Sequence, residues 1–255
     1  MSESPEAFYL PLGDDRYEPT LATQSPWDPD TQHGGPPTAL LAHVIDRTVE
    51  PGMRLGRISA DFLGLIPRRE ARIEVSPLRP GRAIRLTEAR MIVDDRPVVI
   101  ARTWHIATGS APPATGEQVA PPPLPPAAPD LPQATGWGYG EAVEWRHTHH
   151  SPGHASVWAR PRVPLIAGEK LTGQDAALIL ADSANGLSLV LPLTEWLSIP
   201  PTMTATLARA PEDAWVHMDA RTTLSDDGLG VARATLCDAA GYLGEVTQPL
   251  LVRRR

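Results

Sequence analysis

Apolar and polar positions along this chain change period several times, and each change marks an element. Residues 36 to 49, "PPTALLAHVIDRTV", follow Gly34-Gly35 and carry a helical pattern, with two prolines where a first turn tolerates a missing N–H. Strand-like runs precede it ("AFYLPL", "RYEPTLA") and follow it ("GRISADFLGL", "EARIEVSPLR", "AIRLTEARMIV", "PVVIARTWHIA"). Alternation is plain in "RIEV" and "IRLTEARMIV", and Asp94-Asp95 suits a hairpin turn between the last two runs. Later in the chain, "EAVEWRHTHH" and "ASVWARPRV" lead through Gly173 into "LTGQDAALILADSANGLSLVL". Four more strand-like runs follow: "TMTATLARAP", "AWVHMDARTTLS", "GVARATLCDA" and "YLGEVTQPLLVRR".

Between the two series, residues 108 to 133 hold nine prolines, which forbid regular structure and favour an extended tether. The expected organisation is a first unit over 1–107, the tether over 108–133 and a second unit over 134–255. Shifting the first unit by 139 residues lays Leu41, Ala42 and His43 over Leu180, Ala181 and Asp182, and Gly34 over Gly173. Strand, long helix, then a meander of strands, done twice, predicts an α+β fold with each helix lying across a curled antiparallel sheet.

The second helix poses a problem. Residues 177 to 191 are apolar all the way round, which predicts burial, yet Asp182 stands in their middle. A buried carboxylate is costly unless it is hydrogen-bonded, paired or neutralised. The slot that holds Asp182 holds His43 in the first helix, so both helices reserve it for a polar group.

Composition narrows the classes. Of 255 residues, 42% are hydrophobic and 21% charged, the balance of a soluble globular chain with a full core. A formal charge of -7 and a pI near 5.6 argue against nucleic acid as a partner. No run is long enough for a membrane span, and the N-terminus lacks the basic and apolar regions of a signal peptide. Cys237, alone, excludes an internal disulfide and fits a reducing cytoplasm. The histidines of "RHTHHSPGHASVW" suggest a metal by composition. Strict alternation, however, puts His147 and His149 on one face and His150 on the other, with no closed ligand spacing, so no metal site is expected.

The order of elements resembles the hotdog fold, and two in one chain resemble a double hotdog. More specifically, "HGGPPTALLAHVID", "ADFLGLIP", "LRPGRAIRLTEARM", "LADSANGL", "PTMTATLARAP" and "GYLGEVTQPLLVRR" resemble the type II, TesB-like acyl-CoA thioesterase family. That resemblance implies hydrolysis of fatty acyl-CoA or related thioesters, no metal or redox cofactor, and a homo-oligomer. It also implies a catalytic set of an aspartate on the second long helix, a threonine or serine on the next strand and a glutamine on the last strand. The matching positions are Asp182, Thr202 and Gln248; the chain departs from the pattern at Thr204, a position often acidic in relatives.

Chemistry supplies a reason for the set. A carboxylate only accepts hydrogen bonds, while a threonine hydroxyl and a glutamine amide can donate, so Thr202 and Gln248 can hold Asp182 ionised beside a water. Such an aspartate is a competent general base. Free N–H groups at the helix starts, after Gly34-Gly35 and near Gly173-Gln174, are candidate donors to an oxyanion. His33 is a candidate for the pocket mouth and His43 for a second, degenerate site. The alternatives remain a structural Asp182 tied to a neighbouring strand, and a catalytically silent hotdog that binds acyl-CoA or scaffolds an assembly.

Overall fold

The computed structural model describes residues 5–113, 119–127 and 135–255. In the first unit, β1 (Tyr9–Gly13) and β2 (Arg16–Pro19) lead to α1 (Gly35–Asp46). Strands β3 (Met53–Phe62), β4 (Ala71–Arg79), β5 (Ile84–Val93) and β6 (Arg96–Ala107) follow. The second unit opens with α2 (Gly138–Glu141), β7 (Val143–Ser151) and β8 (His154–Pro161), then α3 (Gly173–Ala181) and α4 (Ala184–Leu187). It closes with β9 (Trp196–Ile199), β10 (Thr202–Leu207), β11 (Val216–Leu224), β12 (Leu229–Asp238) and β13 (Gly241–Arg254).

The strands form one sheet in the order β1-β2-β4-β5-β6-β3-β10-β13-β12-β11-β8-β7, with β9 on β13. The halves of that order match element for element, and β3 and β10 meet antiparallel at the centre. The repeat read in the sequence is therefore a repeat of topology, the expected double hotdog. Asp94 and Asp95 both take positive φ, 48° and 58°, the backbone of a tight hairpin turn that matches strand twist.

Helices α1 and α3 lie against the sheet and against each other. Leu40, Leu41, Ile45, Leu178, Ile179 and Leu180 are fully buried, each contributing about 1.5–3 kcal/mol. The helices run antiparallel, the start of α1 against the end of α3. Gly35 makes this possible: a Cβ there would lie 2.0 Å from the Ile179 carbonyl oxygen.

Three expectations need correction. The long helix over 173–191 is two helices, because Ser183 N–H turns back to Leu180 O at 2.9 Å and tightens the chain just at Asp182. Leu189 and Val190 lie beyond it, and Val190 is 37% exposed rather than part of a buried face. The ladder between β7 and β8 shifts register between His147 and His149, a bulge that breaks strict alternation. His147 thus has its ring 6.0 Å from His150, and His149 lies 4.6 Å from His154.

Of the tether, residues 119–127 run over the second unit, where Trp158 Nε1 donates to Pro122 O (2.9 Å) and Arg146 to Pro125 O (2.7 Å). The rest of it lies largely outside the described residues. Among those described, no helix is long and apolar enough to cross a membrane, and no three His, Cys, Asp or Glu side chains are grouped to hold a metal ion.

Candidate active site

The break between α3 and α4 leaves Asp182 at a helix end, facing the first turn of α1. Its side chain is 8% exposed. Gln248, fully buried on β13, donates from Nε2 to Asp182 Oδ1 at 2.8 Å. The orientation of that amide is fixed, since its Oε1 accepts the Asn185 N–H at 3.1 Å. Asn185 is in turn held by Ser198, donating to its carbonyl oxygen (3.0 Å) and accepting its hydroxyl (2.8 Å). A chain of bonds from β9 through α4 to β13 therefore aims one N–H at the carboxylate.

The other oxygen, Oδ2, meets the opposite helix. A Cβ on Gly34 would lie 2.8 Å from it and 2.7 Å from the Phe62 ring, so only glycine lets the backbone come this close. The N–H groups of Gly34 and Gly35 are directed at the carboxylate, and the positive end of α1 adds to their effect. His33 Nδ1 is 3.3 Å from Oδ2. Burial pushes the Asp182 carboxyl up to about 7, against the opposing pull of Gly34, Gln248 and Gly35. Burial also pushes the His33 ring down to about 3, so it is neutral. A carboxyl poised near neutrality in a protein interior can exchange a proton with a bound water.

The structure brings Asp182, Gln248, His33, Gly34 and Gly35 together. Thr202 stands nearby at the start of β10, where Pro201 O accepts the Phe62 N–H at 2.9 Å and Phe62 reaches Gly34. Its hydroxyl donates to Ala60 O at 2.8 Å rather than to Asp182. Thr204 shares a 3.0 Å hydrogen bond with Ser59 on β3.

His43, Gly173 and Gln174 lie at the other end of the helix pair, roughly 10–14 Å from Asp182 by helix rise. His43 bridges Asp175 (3.1 Å) and Glu169 (2.9 Å), and its bond to Asp175 raises its pKa despite partial burial. The start of α3 is closed by its own capping box between Thr172 and Asp175. A Cβ on Gly173 would lie 2.7 Å from Pro211 O, and Gln174 donates to Asp46, which also holds His105. This end is a hydrogen-bonded network that ties the two helices together.

Several contributors carry no sequence signal of their own. Tyr139 stacks on His33 at 4.0 Å and 6°, and its hydroxyl binds Ile179 O (2.9 Å) and Ser183 (2.8 Å). Its one hint is the aromatic-glycine alternation of "GWGYGE" just after the tether. Asn185 and Ser198 are ordinary polar residues until the fold joins them.

Residues 23–106 match the family model of the acyl-CoA thioesterase N-terminal domain, and residues 113–252 that of the acyl-CoA thioesterase C-terminal domain. No curated protein matches the sequence. Among solved structures, the chain is similar to an acyl-CoA thioesterase II TesB2 from Mycobacterium marinum, at TM-score 0.72 and 17% identity over 97% of this chain and 95% of that one. It is similar to the tesB protein of Mycobacterium avium subsp. paratuberculosis, at TM-score 0.68 and 17% identity over 96% of each chain. A hot dog fold protein from Alicyclobacillus acidocaldarius superposes at TM-score 0.74 and 17% identity, over 98% of this chain and 97% of that one.

Proposed function

The chain belongs to the acyl-CoA thioesterase family, a thioester hydrolase, and from that premise we propose that it cleaves acyl-CoA with Asp182 as the base that activates water. The observation that carries this reading is a buried carboxylate held by Gln248 and aimed at the start of α1. Asp182 takes a proton from a water as the water oxygen attacks the thioester carbonyl carbon. The tetrahedral intermediate collapses with cleavage of the C–S bond, and the proton passes from Asp182 to the departing thiolate. Free acid and CoA leave, and the carboxylate is restored.

The Gly34 and Gly35 N–H groups serve the oxyanion in this scheme. They face the carboxylate while it is charged, and protonating Asp182 weakens its hold on them as negative charge grows on the substrate oxygen. Thr202, its own hydrogen committed to Ala60, keeps oxygen lone pairs with which to accept a hydrogen bond from the water.

The test is thiol release from a panel of acyl-CoAs by wild type and Asp182→Asn. Removing the base is expected to lower kcat by about 10²–10⁴-fold. A folded Asp182→Asn protein that turns over at the wild-type rate overturns the reading. Acyl-CoA binding by the wild type with no thiol released favours a silent binder instead.

A further inference from the structure

One contact beside the carboxylate is repulsive while Asp182 is ionised. His33 Nδ1 accepts the Gly35 N–H at 3.2 Å, and a main-chain N–H in the first turn of a helix cannot turn away. A ring nitrogen that accepts carries no hydrogen, so the hydrogen of the neutral ring sits on Nε2. The same bare nitrogen lies 3.3 Å from Asp182 Oδ2. Two acceptors therefore face each other whenever Asp182 is ionised.

We infer that His33 is a positioning residue that keeps Asp182 a strong base: its hydrogen-free Nδ1 confronts the carboxylate and competes with it for the Gly35 N–H. This rests on Asp182 being the base of the reaction. The effect has a clear sign. Burial raises the carboxyl, while Gln248 and the N–H groups of Gly34 and Gly35 favour its ionised form and work against burial. His33 acts on the side of burial, without carrying a charge.

The ring is held in the contact by stacking on Tyr139, whose hydroxyl is fastened to Ile179 O and Ser183. The groups that face Asp182 are His33 before α1, the two N–H groups of α1, Tyr139 of α2, Gln248 of β13 and its own neighbour Ser183. Among the described residues, His33 and Tyr139 are the titratable members of that set. Burial raises the Tyr139 hydroxyl well beyond the working range, so it stays neutral, and burial keeps His33 neutral too.

The experiment is the pH profile of kcat/KM for wild type, His33→Asn and Asp182→Asn, with 15N NMR of the wild-type imidazoles between pH 6 and 8. Asparagine can turn an amide N–H toward the carboxylate, so the acid limb of His33→Asn is expected to move down by about one pH unit. The His33 ring of the wild type is expected to show hydrogen on Nε2 and none on Nδ1, a readout that needs no variant to fold. An unmoved acid limb overturns the inference, as does hydrogen on Nδ1. If Asp182→Asn is inactive and the limb of His33→Asn does not move, His33 alone loses its role. If Asp182→Asn keeps the wild-type rate, both readings fall.

Discussion

At position 182 three donors pull the carboxyl down and burial pushes it up, and burial wins, leaving it near 7. In the unfolded chain the same group titrates at about 4. A carboxyl raised on folding stabilises the fold fully below its unfolded value, and that contribution is lost as pH rises through about 7. Asparagine cannot ionise, so Asp182→Asn is expected to gain on wild type as pH rises. The advantage of the variant over wild type should therefore be larger at pH 8.5 than at pH 5 by on the order of 2–4 kcal/mol. Denaturant unfolding at the two pH values measures this, and an equal difference at both would refute it. The suspicion that Asp182 is costly was legible in the sequence, from one charge in an apolar run. Its pairing with Gln248 was legible only through resemblance, because 66 residues separate them and nothing local marks Gln248. The contact with His33 was not legible, since a histidine before two glycines reads as a loop residue until α1 is laid against α3.

The two central helices were placed well by periodicity because their apolar positions and glycine entries are strong signals. The end of α3 was missed for a physical reason: Ser183 turns back to Leu180 with no proline or glycine at the break to mark it. The four-residue β9 was missed because it has too few positions to show a period. Close approach of the helices is the feature on which the site depends, and it rests on Gly35. An added methyl at Gly35 meets the Ile179 carbonyl oxygen at 2.0 Å, and backbone cannot yield as a side-chain tip can. Gly35→Ala is expected to lower stability by about 3 kcal/mol and to slow turnover, by lifting the α1 N–H groups off Asp182. Gly186, exposed on α4 with open space around it, is the control. Gly186→Ala should be neutral or stabilising by about 0.5–1 kcal/mol. Urea midpoints for the pair decide the matter, and similar shifts would show that the crossing is not tight.

The repeat in the sequence invites the idea of two independent hotdogs joined by a proline-rich string, and family models also match the chain in two parts. The whole molecule is built against independence. The sheet passes from one unit to the other through the β3–β10 ladder, so cutting there exposes a central strand on each side. The N-terminus is woven into the second unit, where Phe8 and Tyr9 N–H groups donate to Pro164 and Leu165 (3.0 Å each) and Ala167 N–H returns to Tyr9 O (2.9 Å). One continuous cluster of buried residues includes Phe8, Leu41 and Ile58 from the first unit and Ile166, Leu180 and Met203 from the second. Even the carboxylate of the second unit takes two of its three N–H donors, Gly34 and Gly35, from the first. The full chain is therefore expected to unfold in a single cooperative step, with residues 1–107 and 134–255 each failing to fold alone. Near-UV circular dichroism makes the second fragment easy to follow, because it holds Trp137, Trp145, Trp158, Trp196 and Trp215. A cooperative melt of that fragment with native-like aromatic signal would mean that the shared core and the central ladder are dispensable. Loss of that signal in the fragment, with recovery when residues 1–107 are co-expressed, would place the folding unit, and with it the active site, at the level of the whole double hotdog.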